Sequence, residues 1–141
     1  MSGAQAGSLA VVTGAGSATG IGFATAQALG AAGHALLLAS TTDRIHDRAA
    51  ELRAAGFAAR GVACDLTSEA GVAALTEAVG NEPVAVVVNN AGMAILGAMA
   101  ELADLDRLTL AQWQRSLERN LTTAFLVTRA FLPGMKAHRY G

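Results

Sequence analysis

Leu9-Ala-Val-Val-Thr13 runs directly into Gly14-Ala-Gly16-Ser-Ala-Thr-Gly20-Ile-Gly22, and from Ile21 a segment of helical period lasts to Ala32, stopped by Gly33. Four apolar residues without polar alternation read as a strand buried on both faces. The glycines at 14, 16, 20 and 22 exceed what a strand-to-helix turn needs. They let the backbone pass close to a pyrophosphate, and a helix opening there offers free N–H groups and a positive dipole end. A tight turn without a ligand is the competing reading. The place of the loop, between the first strand and first helix of a β/α series, favours the phosphate.

The series continues outward from that loop. Ala35–Ala39 reads as a second buried strand and Asp43–Ala55 as a helix with Ile45 and Leu52 inward, closed by Gly56. Ala58–Ala63 is a third strand. Thr67 is expected to cap a helix running to Val79, with Glu69 near its positive end. Val84–Val88 is a fourth strand. A long connection from Asn89 to Leu108 leads into a helix from about Thr109 to Ala137. The alternation predicts one α/β domain over residues 1–141, a parallel sheet covered by helices on both faces. The chain ends before a fifth strand, so it reads as the front portion of a longer domain, with the apolar fourth strand left as an edge.

Composition excludes several classes. Ten Lys+Arg against eleven Asp+Glu give a net charge of -1, unlike the basic excess of a nucleic-acid binder. With 52% hydrophobic and 15% charged residues the chain is not disordered. No apolar run approaches the roughly 18 residues of a membrane span. The start, Met1-Ser-Gly-Ala-Gln-Ala-Gly7, lacks the basic and apolar regions of a secretion signal, so the cytoplasm is the expected compartment. One cysteine, Cys64, excludes an internal disulfide and reads as a small buried core residue. His34, His46 and His138 show no metal-ligand spacing, and no metal is expected.

Three further stretches carry candidate chemistry. Cys64-Asp65-Leu66 ends the third strand, where Asp65 either faces a ligand or caps the next helix through Thr67 or Ser68. Asn89-Asn90-Ala91-Gly92 ends the fourth strand, at the carboxyl edge where open parallel sheets bind ligands. Small residues there permit close approach, and an Asn side chain can brace the sheet. Trp113, Leu117, Asn120 and Ala124 share one helical face, expected to point inward. A buried amide needs partners, so Asn120 is either functional or mends a local helix irregularity.

Taken together, Thr13-Gly14, Gly20-Ile-Gly22, Asp65-Leu66, Asn89-Asn90-Ala91-Gly92 and Asn120-Leu-Thr resemble the short-chain dehydrogenase/reductase family over Leu9 to Gly141. The pattern looks most like the 3-oxoacyl-carrier-protein reductase type. The resemblance implies a Rossmann-like doubly wound parallel sheet of strand order 3-2-1-4. The family's usual glycine spacing is Thr-Gly, three residues, then Gly-x-Gly; here five residues intervene. Either Gly14 is the first motif glycine in a longer loop, or Gly16 takes that role. The longer spacing is similar to that of the enoyl reductases, whereas Asn-Asn-Ala-Gly is not. The resemblance implies cofactor contacts at Gly14, Gly16, Ser17, Thr19, Gly20, Ile21 and Gly22. It implies that Asp65 bonds the adenine amine, that Leu66 packs near the ring, and that Asn90, Ala91 and Gly92 lie along the adenosine ribose. Asn120 is the one catalytic residue carried over, holding a water that links a catalytic Lys to solvent. The family's Ser and Tyr-x-x-x-Lys have no match here, because Tyr140 is followed by Gly141 alone.

The implied activity is hydride transfer between a nicotinamide dinucleotide and a ketone or secondary alcohol, although the 141-residue chain alone is expected to be inactive. NADP(H) is favoured over NAD(H), because Ser40 stands where NAD users commonly carry an acid, followed by the hydroxyls of Thr41 and Thr42 and by Arg44. Asp43 in the same stretch and the lack of Lys or Arg in the glycine loop count the other way. The expected partners are the dinucleotide, a small carbonyl or alcohol substrate, and further copies of the chain in a homo-oligomer, through an apolar face with Leu121, Phe125 and Leu132. A non-catalytic nucleotide-binding or oligomerising module is the competing reading. A methyltransferase is a third, disfavoured by Ser40 in place of an acid.

Overall fold

A computed structural model describes residues 7–92 and 104–141. The first six residues and positions 93–103 of the expected long connection lie outside the described residues.

The apolar runs become four parallel strands: β1 (Leu9–Thr13), β2 (Ala35–Ser40), β3 (Ala59–Ala63) and β4 (Val84–Val88). Their order is β3-β2-β1-β4, as the family resemblance implies. All five residues of β1 are buried, since strands flank it on both sides and helices cover both faces. Successive side chains of a strand point to opposite faces. Val12 and Leu38 therefore meet α1 (Ile21–Ala31) and α2 (Arg44–Ala54) through Phe23, Ile45 and Leu52. Val11 and Leu37 meet α3 (Glu69–Val79) and α5 (Thr123–His138) through Leu75, Val127 and Phe131. β4 is an edge among the described strands, and its last three valines are half-buried.

Two local expectations are corrected. Ser68, not Thr67, caps α3: its hydroxyl accepts from the Gly71 amide at 3.1 Å. The Thr67 hydroxyl is engaged instead by Asp65, to which it donates at 2.7 Å. The single helix expected from Thr109 to Ala137 is two helices. Thr109 and Gln112 form a capping box that starts α4 (Leu110–Leu117). A π turn over Glu118–Thr122 then leads into α5. A π turn inserts a residue into the helical count and rotates the helix beyond it. The face expected to point inward is not covered: Trp113 is 49% and Leu117 37% exposed, and Asn120 is exposed with them. Only the end of β4, at Gly92, comes close to that face, beside Asn120. Leu121, Phe125 and Leu132 are uncovered too, in keeping with the expected apolar face. Among the described residues, no helix is long and apolar enough to cross a membrane.

Candidate functional site

Thr13, the last residue of β1, is 1% exposed and ties three segments together. Its hydroxyl donates to the Val88 carbonyl at 3.0 Å and accepts from the Asn90 and Ala91 amides, each at 3.0 Å. Asn90 returns the contact, its Nδ2 donating to the Thr13 and Gly14 carbonyls at 3.1 Å. This clasp fixes the end of β4 against the start of the glycine turn, and it leaves no room for side chains. Gly14 has φ +70°, and a Cβ on it would stand 2.8 Å from Ala91 Cα. A Cβ on Gly22 would stand 2.5 Å from Asn90 Nδ2. Of the two ways to align the loop, Gly14 thus takes the close approach to β4. Gly16 lies against the end of β2, its Cβ position 2.9 Å from Ser40 Oγ.

Beyond the clasp opens a groove of ≈ 680 Å³. One wall is Gly14, Gly16 and Ser17 of the turn with Ser40, Thr41, Thr42 and Arg44 at the end of β2. The floor is Cys64–Thr67 after β3, together with Ala91 and Gly92. Arg115, Glu118, Arg119 and Thr123 of the α4–α5 junction close the far side. That junction faces the entry to α3 because α3 and α5 pack together, joined by an Arg129–Glu69 bridge of 2.6 Å.

Local chemistry sets the polarity of the groove. Gly20 caps α1 with no side chain, and the first turn of α1 has no acid, so its dipole end carries no internal counter-charge. Thr67 holds the Asp65 carboxyl below its ordinary range, first through its hydroxyl and then through its amide at 3.0 Å. Burial, and secondly the Asp65 charge, push the Cys64 thiol up, which keeps it protonated and unreactive at neutral pH. The Arg44 Nε donates to Thr42 Oγ1 at 3.4 Å, aligning a cation at the β2 rim. A turn without side chains, an uncapped helix start and a hydroxyl-and-arginine rim together fit a phosphate-bearing nucleotide.

Of the residues singled out from the sequence, Gly14, Gly16, Ser17, Ser40, Thr41, Asp65, Leu66, Ala91 and Gly92 line this groove. Thr19, Gly20, Ile21 and Gly22 stand beside it at the start of α1, with Ile21 71% exposed. Asn90 lies behind the lining in the clasp. Asn120 is not in the lining: its Nδ2 donates to the Ser116 carbonyl at 2.9 Å, within its own helix. Arg115, Glu118 and Arg119 were not singled out, since charge on an amphipathic helix reads as a solvated face. Thr13 stood in the Thr13-Gly14 pair, but its hydroxyl clasp of the end of β4 has no sequence signal beyond a hydroxyl ending an apolar strand.

Comparison with known proteins agrees with this geometry. The family described as short chain dehydrogenase matches residues 8–141. Galactitol 2-dehydrogenase (L-tagatose-forming) of Cereibacter sphaeroides is 38% identical over 135 residues, covering 96% of this chain and 50% of the relative. A Streptomyces coelicolor protein assigned as a ketoacyl reductase is 42% identical over 129 residues, covering 88% of this chain and 46% of its own length. Among solved structures, a metagenomic short-chain oxidoreductase in complex with NADP superposes with a TM-score of 0.83 at 34% identity, over 96% of this chain and 60% of the other. L-sorbose reductase from Gluconobacter frateurii, complexed with NADPH and L-sorbose, gives 0.82 at 30% identity, over 98% and 51%. The chain spans about half the length of the relatives it matches.

Proposed function

The chain belongs to the short-chain dehydrogenase family, and from that premise we propose that it is the nucleotide-binding portion of an NAD(P)-dependent oxidoreductase acting between a ketone and a secondary alcohol. The observation that carries this reading is the clasp of Thr13, Gly14, Gly22, Asn90 and Ala91, opening onto the ≈ 680 Å³ groove. The nicotinamide dinucleotide, when bound, supplies or takes up the hydride. The chain's own residues hold and orient it. Gly14, Gly16, Ser17 and Gly20 admit the pyrophosphate to the start of α1, with Thr19, Ile21 and Gly22 shaping the turn. Asp65 and Leu66 take the adenine, and Asn90, Ala91 and Gly92 flank the ribose. Asn120 serves a proton route to a Lys that this sequence does not contain, nor does it contain the family's Tyr-x-x-x-Lys. The 141-residue polypeptide is therefore expected to bind nucleotide without turning over.

Within this reading NADP(H) is preferred to NAD(H). Ser40, Thr41, Thr42 and Arg44 line the β2 rim, with Asp43 between the last two but outside the lining, and hydroxyls and a guanidinium suit a 2′-phosphate. Titrating both oxidised dinucleotides against Trp113 fluorescence tests it. NADP is expected to bind more tightly, and Arg44→Ala to weaken NADP about tenfold while leaving NAD unchanged. Tighter NAD binding overturns the preference. Turnover of ketones by the 141-residue chain, followed by the absorbance of the reduced nicotinamide, overturns the account of the missing proton donor.

The uncovered stripe of Leu121, Phe125 and Leu132 favours a second element of the reading, association of copies into a homo-oligomer. A module that binds and assembles without catalysis is the alternative, and the ketone assay on a version extended through a Tyr-x-x-x-Lys separates the two: turnover by that version favours the enzyme. The cytoplasm, where nicotinamide dinucleotides are held, is the proposed compartment.

A further inference from the structure

Gly92 lines the groove, and its Cβ position is closely walled by the π turn. A Cβ built on it would stand 2.7 Å from Asn120 Oδ1, 2.9 Å from the Arg119 carbonyl oxygen and 3.1 Å from Asn120 Cα. Both oxygens belong to the π turn, and both are held in place independently. Thr123, 5% exposed, donates its hydroxyl to the Arg119 carbonyl at 2.7 Å. The Asn120 Nδ2 donates to the Ser116 carbonyl at 2.9 Å. That bond fixes the sense of the amide, because a flipped amide would set oxygen against oxygen. Oδ1 is thus turned toward Gly92, and only a residue without a side chain lets it sit there.

We propose that Gly92 is the positioning residue for Asn120: its missing side chain lets the π turn close on the end of β4 and sets the direction of the Asn120 amide. The Asn90 and Ala91 side of this strand end grips the glycine turn, and the Gly92 side grips the π turn. One tetrapeptide thereby fixes the nucleotide loop and Asn120 relative to each other. The inference rests on the reading that Asn120 serves a proton route.

Gly92 also has φ +137°, a conformation that strains any L side chain. Strain at residue 92 and its contacts with the Arg119 carbonyl and Asn120 Cα are indifferent to the residue 120 side chain, whereas the Oδ1 contact is not, so a double-mutant cycle isolates the Oδ1 contact. Gly56 is the control, with φ +90° and nothing within 4 Å of its Cβ position. The experiment compares urea unfolding of the chain with Gly92→Ala, Asn120→Ala, both together, and Gly56→Ala. It also records the Asn120 side-chain amide signal by NMR. Gly92→Ala is expected to lose more stability than Gly56→Ala. The double variant is expected to depart from additivity by about tenfold in the folding constant, being more stable than the two single losses sum to. The Asn120 amide signal is expected to move in Gly92→Ala and to stay in Gly56→Ala. Additive losses with an unmoved signal overturn the proposal. If Gly92→Ala does not fold, Gly92→Ala with Asn120→Ala is expected to fold, and its failure overturns the proposal as well. Adenine-nucleotide titration of the unaltered chain is read separately, so absence of binding strikes the groove reading and not the coupling.

Discussion

β2 and the α4–α5 arm are both rich in large apolar residues, and their fates are opposite. Leu36, Leu37 and Leu38 are at most 1% exposed. Leu110, Trp113, Leu117, Leu121, Phe125 and Leu132 recur at spacings of three, four and seven along the arm, yet range from 37% to 69% exposed. Hydrophobicity is not the difference. β2 has β1 and β3 as hydrogen-bonded neighbours and a helical layer on each face. The arm has the sheet on one side only, where Leu126, Val127 and Phe131 are buried, and nothing described on the other. Burial is therefore decided by what packs against a face. The same apolar stripe stabilises the fold in one place and presents a surface in the other.

The strongest test of this contrast is to remove the same side chain from each region. Leu37 is fully buried at the centre of the sheet, in contact with the α3 and α5 layer. Leu37→Ala is expected to lose about 2–5 kcal/mol of folding stability, the range for a leucine removed from a core that relaxes only in part. Leu132→Ala, at 41% exposure, is expected to change stability by about 0.5 kcal/mol or less. Urea unfolding measures both. Equal losses would mean that the two regions are packed alike.

The same contrast explains what was legible in the sequence. β1, β2 and β4 are legible because a strand covered on both faces must be apolar throughout, and no other short segment has reason to be. The β/α alternation gave parallel strands, while their order came from the family resemblance and not from periodicity. The clasp was half legible: Thr13 and Asn90 each stood in a motif, while the hydrogen bonds that join them were not readable from residues 77 apart. Asn120 was noticed, but its surroundings were misjudged, since amphipathic spacing shows which face is apolar and not whether anything covers it. Nor does periodicity announce a π turn, because Glu118–Thr122 keeps ordinary helix formers while shifting the count by one. The cap of α3 moved by one residue for a similar reason: Thr67 and Ser68 are equally good caps, and Asp65 claimed one of them.

A smaller effect probes the groove floor, between the two regions. Asp65 has its carboxyl pKa lowered, chiefly by the Thr67 hydroxyl and then by the Thr67 amide. A carboxyl whose folded pKa is depressed adds stability above its unfolded value of about 3.9, and the gain is lost as pH falls through the folded value. Thr67→Val removes the hydroxyl and keeps the amide. Since Asp65 is exposed, solvent screening limits the loss to on the order of 0.5 kcal/mol at neutral pH. The difference between variant and parent is expected to shrink below about pH 3.9, as the carboxyl is protonated in both. Stability measured from neutral to acid pH checks it, and a difference that grows toward acid would reverse the assignment of Asp65 as the acceptor.

The smallest expected effect on folding lies in the arm itself. Phe125 is a poor probe, because the Arg129 guanidinium stands 5.3 Å from its ring and bridges to Glu69. Its replacement would disturb a cation–π contact worth about 0.5–1 kcal/mol at an exposed site. Leu121 is cleaner: it is 64% exposed, and it follows Asn120 in the π turn on a side that no described element covers. Leu121→Gln therefore removes little apolar area from the folded monomer, and dilute unfolding is expected to change by about 0.5 kcal/mol or less. At high concentration the outcome differs. If the stripe joins copies of the chain, an amide placed at its centre must be desolvated on association and finds no partner built for it. The variant is then expected to sediment as a smaller species than its parent at equal concentration. A loss of more than about 1 kcal/mol in dilute solution would show that the arm is packed within the chain after all, and the contrast with β2 would not stand.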